Sequence, residues 1–152
     1  MAFSPDDALR PAAEFAAARW SVATGCEVVI AEGGVPLVSW PRLFVEYTDD
    51  GRALLAEVNH GGTMRSICGL STWTEDESAV RIIDVSLACD EEDAVAHEMG
   101  HALAGIRRHS FSGVLASGDN PARTPLIDEG SLDVVCYQLP CARRVPESDD
   151  AR

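Results

Sequence analysis

The feature that most constrains this chain is the segment His97-Glu98-Met99-Gly100-His101, which places two histidines four positions apart. Four residues advance an α-helix by about 400° and about 6 Å, so the two rings lie on one face, one turn apart. Two imidazole nitrogens in this arrangement can bind one tetrahedral Zn²⁺, at about 2.0–2.1 Å each. Glu98 projects beside them, close enough to act as a general base on a metal-bound water. The motif therefore predicts a helix that carries part of a metal site.

The sequence around the motif favours a metal site over a chance match. Residues 82–87 form a largely apolar run that is typical of a buried strand. Asp90 follows as the expected N-cap of a helix with acidic residues in its first turn. The helix then offers an apolar surface made of Val95, Ala96, Met99, Ala102, Leu103 and Ile106. Burying two histidines and a glutamate among such residues is costly unless they share a partner, such as a metal ion.

Composition limits the class of protein. The 152 residues predict one domain, with a core over about residues 6–142 and a polar tail over residues 143–152. No apolar run approaches the ~20 residues of a membrane span, and the first residues lack the pattern of a signal peptide. The net charge is −13 and every basic side chain is arginine. This argues against nucleic acid and anionic membranes as partners, and we expect a monomer.

Five cysteines bear on the compartment. None lies in a CxxC pair, so a structural zinc site of the usual spacing is not expected. Cys136 and Cys141 flank a short loop that one disulfide can close, and a second can join Cys68 to Cys89, which leaves Cys26 over. Disulfides would predict a secreted or periplasmic protein. Five reduced thiols would leave the cytoplasm open.

The remaining pattern predicts an α+β layout. An alanine-rich helix is expected over residues 6–24, with Pro11 near its first turn and Gly25 at its end. A last helix is expected from about Leu126 to Leu139, and the tail past Arg143 is expected to fray. Strand candidates cover residues 26–30, 43–47, 53–58, 66–74 and 79–87. We therefore expect one twisted mixed β-sheet packed by the N-terminal helix and the motif helix, with a C-terminal helix.

A tetrahedral site needs a third protein ligand, and His109 is the first candidate. In a continuous helix its ring would lie about 12 Å along the axis from His101, out of reach of the same metal ion. Gly105 lies between them. Because glycine readily adopts a positive φ, the chain can leave the helix at Gly105 and bring His109 back.

The segment resembles the metzincin zinc-binding consensus, HExxHxxGxxH, which is found in matrixin-like, astacin-like and serralysin-like peptidases. The resemblance implies that His97, His101 and His109 bind one Zn²⁺, that Glu98 is the general base and that Gly105 is the turn glycine. Compared with the consensus, the glycine comes one residue late and the last histidine two residues late.

The similarity to matrixin-like domains extends over about residues 8–139. Arg19 to Gly25 resembles the end of their first helix, and Ile127 to Val135 resembles their C-terminal helix. Leu115 stands where these domains carry the Met-turn methionine, which forms a hydrophobic floor beneath the zinc. Leucine is similar in volume to methionine, so a floor is still expected. Their substrate-lining edge strand is matched by Gly69, Leu70, Ser71 and Thr72.

This resemblance implies a small zinc-dependent endopeptidase of a metzincin-like fold. Zn²⁺ would lower the pKa of a water toward ~7, and Glu98 would take its proton as the scissile carbonyl of a peptide or protein substrate is attacked. Glu98 would then pass the proton to the leaving amine. The substrate would lie extended beside the edge strand and pair with it as an added strand.

Two alternatives stay open. Asp128 to Asp133 is similar to the second-helix motif of gluzincins, in which a glutamate binds zinc and an aspartate four residues on supports a ligand histidine. That resemblance would make Glu129 the third ligand and Asp133 the support. The other alternative is a catalytically inactive zinc-binding or interaction domain on the same scaffold.

Overall fold

Three helices carry most of the described buried core. Helix α1 spans Arg10–Thr24, α2 spans Glu91–Ala104 and α3 spans Glu129–Gln138. The computed structural model describes residues 2–5, 9–30, 42–48, 69–73, 80–86, 90–106, 108–118 and 120–148. The three helices lie where the sequence predicts an N-terminal, a motif and a C-terminal helix, so this part of the expected mixed α and β layout is confirmed.

The helix ends follow local chemistry. Helix α1 begins later than residue 6, at Arg10, with Pro11 in its first turn, where the missing N–H costs nothing. It ends at Gly25, whose φ of 67° lies in the left-handed region. Helix α2 begins at Asp90, whose carboxylate accepts a hydrogen bond from the backbone N–H of Asp93, as the sequence predicts.

Five short strands are described, and all of them precede α2 and α3 in the chain. Strand β1 spans Ala2–Pro5, β2 Val29–Ile30, β3 Arg42–Thr48, β4 Gly69–Trp73 and β5 Val80–Ser86. Their hydrogen-bonded order is β2-β1-β3-β5-β4. Three pairings are parallel, and β4 pairs antiparallel with β5, so that Gly69 lies opposite Val85. Strand β4 therefore lies at one end of the described strand order, and the twisted mixed sheet with a substrate-lining edge strand stays a prediction.

The described core lies between the helices. Trp20 is fully buried on α1 and its indole N–H donates to the carbonyl of Ala96 on α2 at 2.9 Å. Helix α2 also contacts β4, β5 and α3. The largest fully buried side chains are Trp20, Leu9, Met99, Leu115, Ile127, Leu132 and Val95. This packing fixes α2, the helix that carries the HExxH motif, on the sides that face its neighbours.

The prediction of a frayed tail past Arg143 is wrong for residues 143–147. The backbone N–H of Arg143 donates to Thr24, that of Val145 to Ala23 and that of Glu147 to Ile127. The Glu147 carboxylate also binds Arg19 of α1 through two hydrogen bonds of 2.8 and 2.7 Å. The tail is therefore held against the end of α1, because its backbone and one carboxylate find specific partners there.

One of the two predicted disulfides is confirmed, and other predictions fall outside the described residues. Cys136 and Cys141 form the expected disulfide, and Cys26 is a free thiol. The predicted strand over residues 53–58 and the pairing of Cys68 with Cys89 lie outside the described residues. In the described part of the chain, no helix has the length and apolar character to cross a bilayer. Strand β1 is an element that the sequence does not predict.

Candidate metal centre

Helix α2 brings His97 and His101 together in a buried position. The two residues are 8% and 4% exposed, and their Nε2 atoms lie 3.1 Å apart. Two ligands of a tetrahedral ion with 2.0–2.1 Å bonds lie about 3.3 Å apart. The spacing of the two nitrogens is therefore close to what a shared Zn²⁺ needs.

Backbone carbonyls fix the orientation of both rings. Nδ1 of His97 lies 2.6 Å from the carbonyl oxygen of Val114, and Nδ1 of His101 lies 3.1 Å from that of Ile106. A carbonyl can only accept, so in these hydrogen bonds each Nδ1 carries the proton. A neutral ring with its proton on Nδ1 has its lone pair on Nε2, which is the form that binds a metal ion.

His109 completes a group of three rings. Helix α2 ends at Gly105, which adopts a φ of 67° and donates its N–H to His101 at 2.8 Å. The chain then turns back, as the sequence predicts for this glycine. The ring centroid of His109 lies 5.4 Å from that of His97 and 5.1 Å from that of His101. One ligand atom from each histidine lies within 4.8 Å of the other two, and His109 is the exposed member.

Glu98 lies beside this group. Its residue is 5% exposed, and its Oε1 is 3.9 Å from Nε2 of His97. A carboxylate at this distance from a ligand atom is near enough to reach a water held at the same ion. The role of Glu98 as general base stays a prediction.

Burial keeps His97 neutral. Desolvation, and after it the charge of the neighbouring His101, lower the pKa of His97 from 6.5 to about 3. Arg123 and His109 lower this pKa further, and only the hydrogen bond to Val114 raises it. At neutral pH the ring therefore carries no charge that would oppose a cation.

A tight turn over residues 110–116 lies against the motif helix. Leu115 is fully buried, and a Cβ placed on Gly100 would lie 2.7 Å from Leu115 Cδ2. This puts Leu115 against the motif helix at Gly100. Its role as a hydrophobic floor beneath a metal ion stays a prediction, and its neighbour Val114 supplies the carbonyl for His97.

The start of α3 supports this turn. Asp128, the N-cap of α3, accepts hydrogen bonds from the backbone N–H of Ser131 and from the hydroxyl of Ser112. Ser131 Oγ in turn accepts from the backbone N–H of Leu115 at 3.3 Å. Gly113 has a φ of 76°, and a Cβ there would lie 2.0 Å from Asp128 Oδ1, so only glycine fits.

Glu129 and Asp133 lie elsewhere. Their side chains are 63% and 70% exposed, and both carboxylates pair with Arg144 at 2.7 Å. Among the described residues, the one group of histidine, cysteine and acidic side chains close enough to share a metal ion contains neither of them. Gly69, Leu70, Ser71 and Thr72 lie on edge strand β4, which contacts α2, and their role in substrate binding stays a prediction.

Arg123 is a residue of the site that the sequence does not reveal. Its Nη1 lies 3.0 Å from Nδ1 of His97 and within hydrogen-bond distance of two carbonyls in the turn. It stands in the stretch Asp119-Asn120-Pro121-Ala122-Arg123, which has the composition of a loop and no motif. Its position depends on how two loops pair, which no local pattern records.

The donor set suits Zn²⁺. Three imidazoles with a nearby carboxylate, two of them oriented by backbone carbonyls, form the kind of site in which three protein ligands leave a further position for water or substrate. The arrangement also suits other first-row divalent ions, so the structure defines a candidate metal site and the identity of the metal is a separate question. Comparisons with models of protein families, with curated proteins and with solved structures gave no match to this chain.

Proposed function

We propose that this protein is a zinc-dependent endopeptidase of matrixin-like metzincin type. The observation that carries the proposal is the convergence of His97, His101 and His109, with ligand atoms within 4.8 Å of one another, beside the buried carboxylate of Glu98. A purely structural zinc site has no need of a buried carboxylate next to its ligands, whereas hydrolysis needs a base there.

The three histidines would hold the metal ion, each through one ring nitrogen. When bound, Zn²⁺ supplies Lewis acidity, which makes a water more acidic and polarises the carbonyl of a peptide bond. Nδ1 of His97 and of His101 would keep donating to Val114 and Ile106, so that both rings stay oriented during turnover. The exposed position of His109 leaves that side of the site open to substrate.

Glu98 would move the proton. Its Oε1, 3.9 Å from Nε2 of His97, is placed to accept a proton from the attacking water. The same carboxylate would then give that proton to the nitrogen of the leaving amine. Because Glu98 is 5% exposed, competing bulk water is largely kept from the carboxylate.

The substrate would lie extended along edge strand β4. This strand, Gly69–Trp73, is at the end of the strand order and contacts helix α2. An edge strand offers unpaired backbone groups to an added strand. Gly69, Leu70, Ser71 and Thr72 would therefore bind the backbone of a peptide or protein substrate.

Geometry favours His109 over Glu129 as the third ligand. The Glu129 carboxylate is exposed, is already paired with Arg144 and is not part of the histidine group, so binding zinc there would require it to leave that partner and move. His109 needs no such movement, because its ring already lies beside the other two. The gluzincin alternative is accordingly the weaker one.

The strand order and helix positions support a metzincin-like fold, because helix α2 follows a run of largely parallel strands and lies beside the edge strand. The Cys136–Cys141 disulfide supports an oxidising compartment, either extracellular or periplasmic. We propose the metzincin-like fold, the extracellular or periplasmic location and action as a monomer together with the peptidase function.

The test is zinc-dependent cleavage of a broad peptide mixture, read by mass spectrometry. Zinc-loaded wild type should produce new peptide ends, and chelation should abolish them. Glu98→Gln should keep zinc but lower the rate by about 10²–10⁴-fold, the usual contribution of a general acid–base group. Glu129→Gln is the matched control and should cleave at the wild-type rate.

The outcomes of this test distinguish the proposed peptidase from its two alternatives. Cleavage that survives in Glu98→Gln at the wild-type rate would rule out the proposed role of Glu98. Zinc binding without any cleavage by wild type would leave the non-catalytic zinc domain as the better description. Loss of cleavage and zinc in Glu129→Gln would favour the gluzincin alternative.

A further inference from the structure

Arg123 lies on a loop beside the candidate metal centre, and its side chain binds backbone carbonyls of the turn over residues 110–116. Its Nη1 lies 2.8 Å from the carbonyl oxygen of Ala116 and 3.2 Å from that of Val114. The side chain is partly buried. In the part of the chain that the structure describes, this guanidinium bonds to carbonyl oxygens and pairs with no carboxylate. An arginine that lines a turn in this way holds backbone rather than balancing a negative charge.

Backbone hydrogen bonds place Arg123 beside the turn over residues 110–116. The N–H of Gly113 donates to Ala122 at 3.2 Å, and the N–H of Thr124 donates to Gly113 at 3.4 Å. Gly113 and Arg123 thus form a parallel bridge. Because hydrogen bonds hold the loop on both sides of Arg123, its side chain starts from a fixed position beside the turn.

The Val114 carbonyl is the link between Arg123 and the metal centre. It accepts from Nδ1 of His97 at 2.6 Å and from Nη1 of Arg123 at 3.2 Å. A carbonyl oxygen has two lone pairs and can satisfy both donors. The 3.0 Å separation of Arg123 Nη1 from His97 Nδ1 is therefore that of two donors sharing one acceptor.

We propose that Arg123 is a positioning residue for the metal centre. Nη1 has two hydrogens, and by binding the Val114 and Ala116 carbonyls it closes the turn around Leu115. The fixed Val114 carbonyl then orients the His97 ring so that Nε2 points to the position shared with His101. This inference rests on the proposed function only in requiring that the three histidines bind a metal ion.

Charge and geometry make opposite predictions for this residue. A guanidinium 3.0 Å from His97 repels a cation, so on charge alone its removal should strengthen metal binding. If Arg123 positions His97, its removal should weaken metal binding instead. Outer partners of metal-binding histidines typically change affinity by about 10–100-fold. The sign of the change therefore decides between the two accounts.

The experiment compares zinc affinity in wild type, Arg123→Met and Arg123→Lys, by competition with a chromophoric chelator. Arg123→Met should bind zinc about tenfold more weakly or worse. Arg123→Lys keeps the charge but lacks the planar fork that places Nη1 at the turn, and should also be weaker than wild type. Arg144→Met is the matched control, because Arg144 pairs with Glu129 and Asp133 on α3 and should leave affinity unchanged.

A second readout separates positioning from a general loss of stability. The visible spectrum of the Co²⁺-loaded protein reports the ligand geometry of the folded fraction alone. It should change in Arg123→Met and stay as in wild type for Arg144→Met. If Arg123→Met does not fold, Arg123→Lys and Arg123→Gln carry the test.

Three results would overturn the inference. Unchanged or tighter zinc binding by a folded Arg123→Met variant would do so alone, and so would an affinity of Arg123→Lys equal to that of wild type, since the planar fork of the guanidinium would then not be needed. An absence of zinc binding by wild type would overturn the proposed metal site and this inference together.

Discussion

Histidines, carboxylates and arginines meet in two regions of this molecule, and the regions use them differently. On α2, His97 and His101 are buried and their rings converge with that of His109. On α3, Glu129 and Asp133 are exposed and share Arg144. Residue type alone made either region a candidate source of a third ligand. Burial and convergence distinguish them, because only the first region leaves ligand atoms aimed at one point.

The two regions also differ in what holds them together. The site region, made of α2 and the turn over residues 110–116, is held by apolar packing and by backbone carbonyls. The C-terminal region, made of α3 and the tail through Glu147, also has buried apolar residues and backbone hydrogen bonds, and it adds arginine–carboxylate pairs and a disulfide. Substitutions that remove an arginine–carboxylate pair should therefore affect the C-terminal region more than the site region.

The largest stability effect is expected at Arg19. Its side chain is 9% exposed, binds Glu147 through two hydrogen bonds and also donates to the carbonyl of Pro125. Arg19→Met would leave a mostly buried carboxylate without its cation, and we expect it to lower the free energy of unfolding by about 2–3 kcal/mol. Urea denaturation of the metal-free, disulfide-intact protein measures this.

The control for Arg19 is an exposed pair on the same helix. Arg10 and Glu14 lie four residues apart at 3.8 Å, and Arg10→Met should cost at most about 0.5 kcal/mol. Equal losses in the two variants would mean that the tail does not depend on the Arg19–Glu147 pair.

A smaller loss is expected when the packing of the site region is disturbed. A Cβ on Gly100 would lie 2.6 Å from Trp20 Cζ2 and 2.7 Å from Leu115 Cδ2, both on fully buried side chains. Overpacking of this kind costs about 1–3 kcal/mol, and the better helix propensity of alanine returns about 1 kcal/mol. Because two buried side chains both have to shift, we take the upper part of that range, about 2–3 kcal/mol, and expect Gly100→Ala to destabilise the protein by a net of about 1–2 kcal/mol in thermal unfolding.

Gly118→Ala provides the comparison for this change. Among the described residues, no heavy atom lies within 4 Å of a Cβ at Gly118, so the variant should stay within about 0.5 kcal/mol of wild type. If Gly100→Ala proved as stable as Gly118→Ala, the close packing of Trp20 and Leu115 against the motif helix would be refuted.

Much of the site region can be predicted from the sequence because its signals are local. Asp90 caps α2 and Gly105 ends it, and the i, i+4 spacing of His97 and His101 places both rings on one face. The positive φ of Gly105 ends the helix and lets the chain turn back, so that His109 lies beside His97 and His101. Each of these residues determines structure only within a few positions of itself in the chain.

The parts that the sequence did not predict depend on distant partners. Strand β1 contains Ser4 and Pro5 and is defined by its pairing with β2 and β3. The tail is polar, and its order comes from backbone acceptors on α1 and from Arg19. Arg123 acquires its place from the pairing of two loops. Strand β1, the ordered tail and the position of Arg123 have no hydrophobic periodicity in the sequence from which they could be predicted.

The most direct test of the account is zinc stoichiometry, measured by elemental analysis on wild type, His109→Ala and Glu129→Ala after metal loading and gel filtration. We expect one zinc per chain in wild type and in Glu129→Ala. We expect little or none in His109→Ala, because loss of a ligand should lower the affinity by at least the ~100-fold that loss of an outer partner can cause. Zinc lost only from Glu129→Ala, or absent from wild type, would contradict the assignment of His97, His101 and His109 as the metal site.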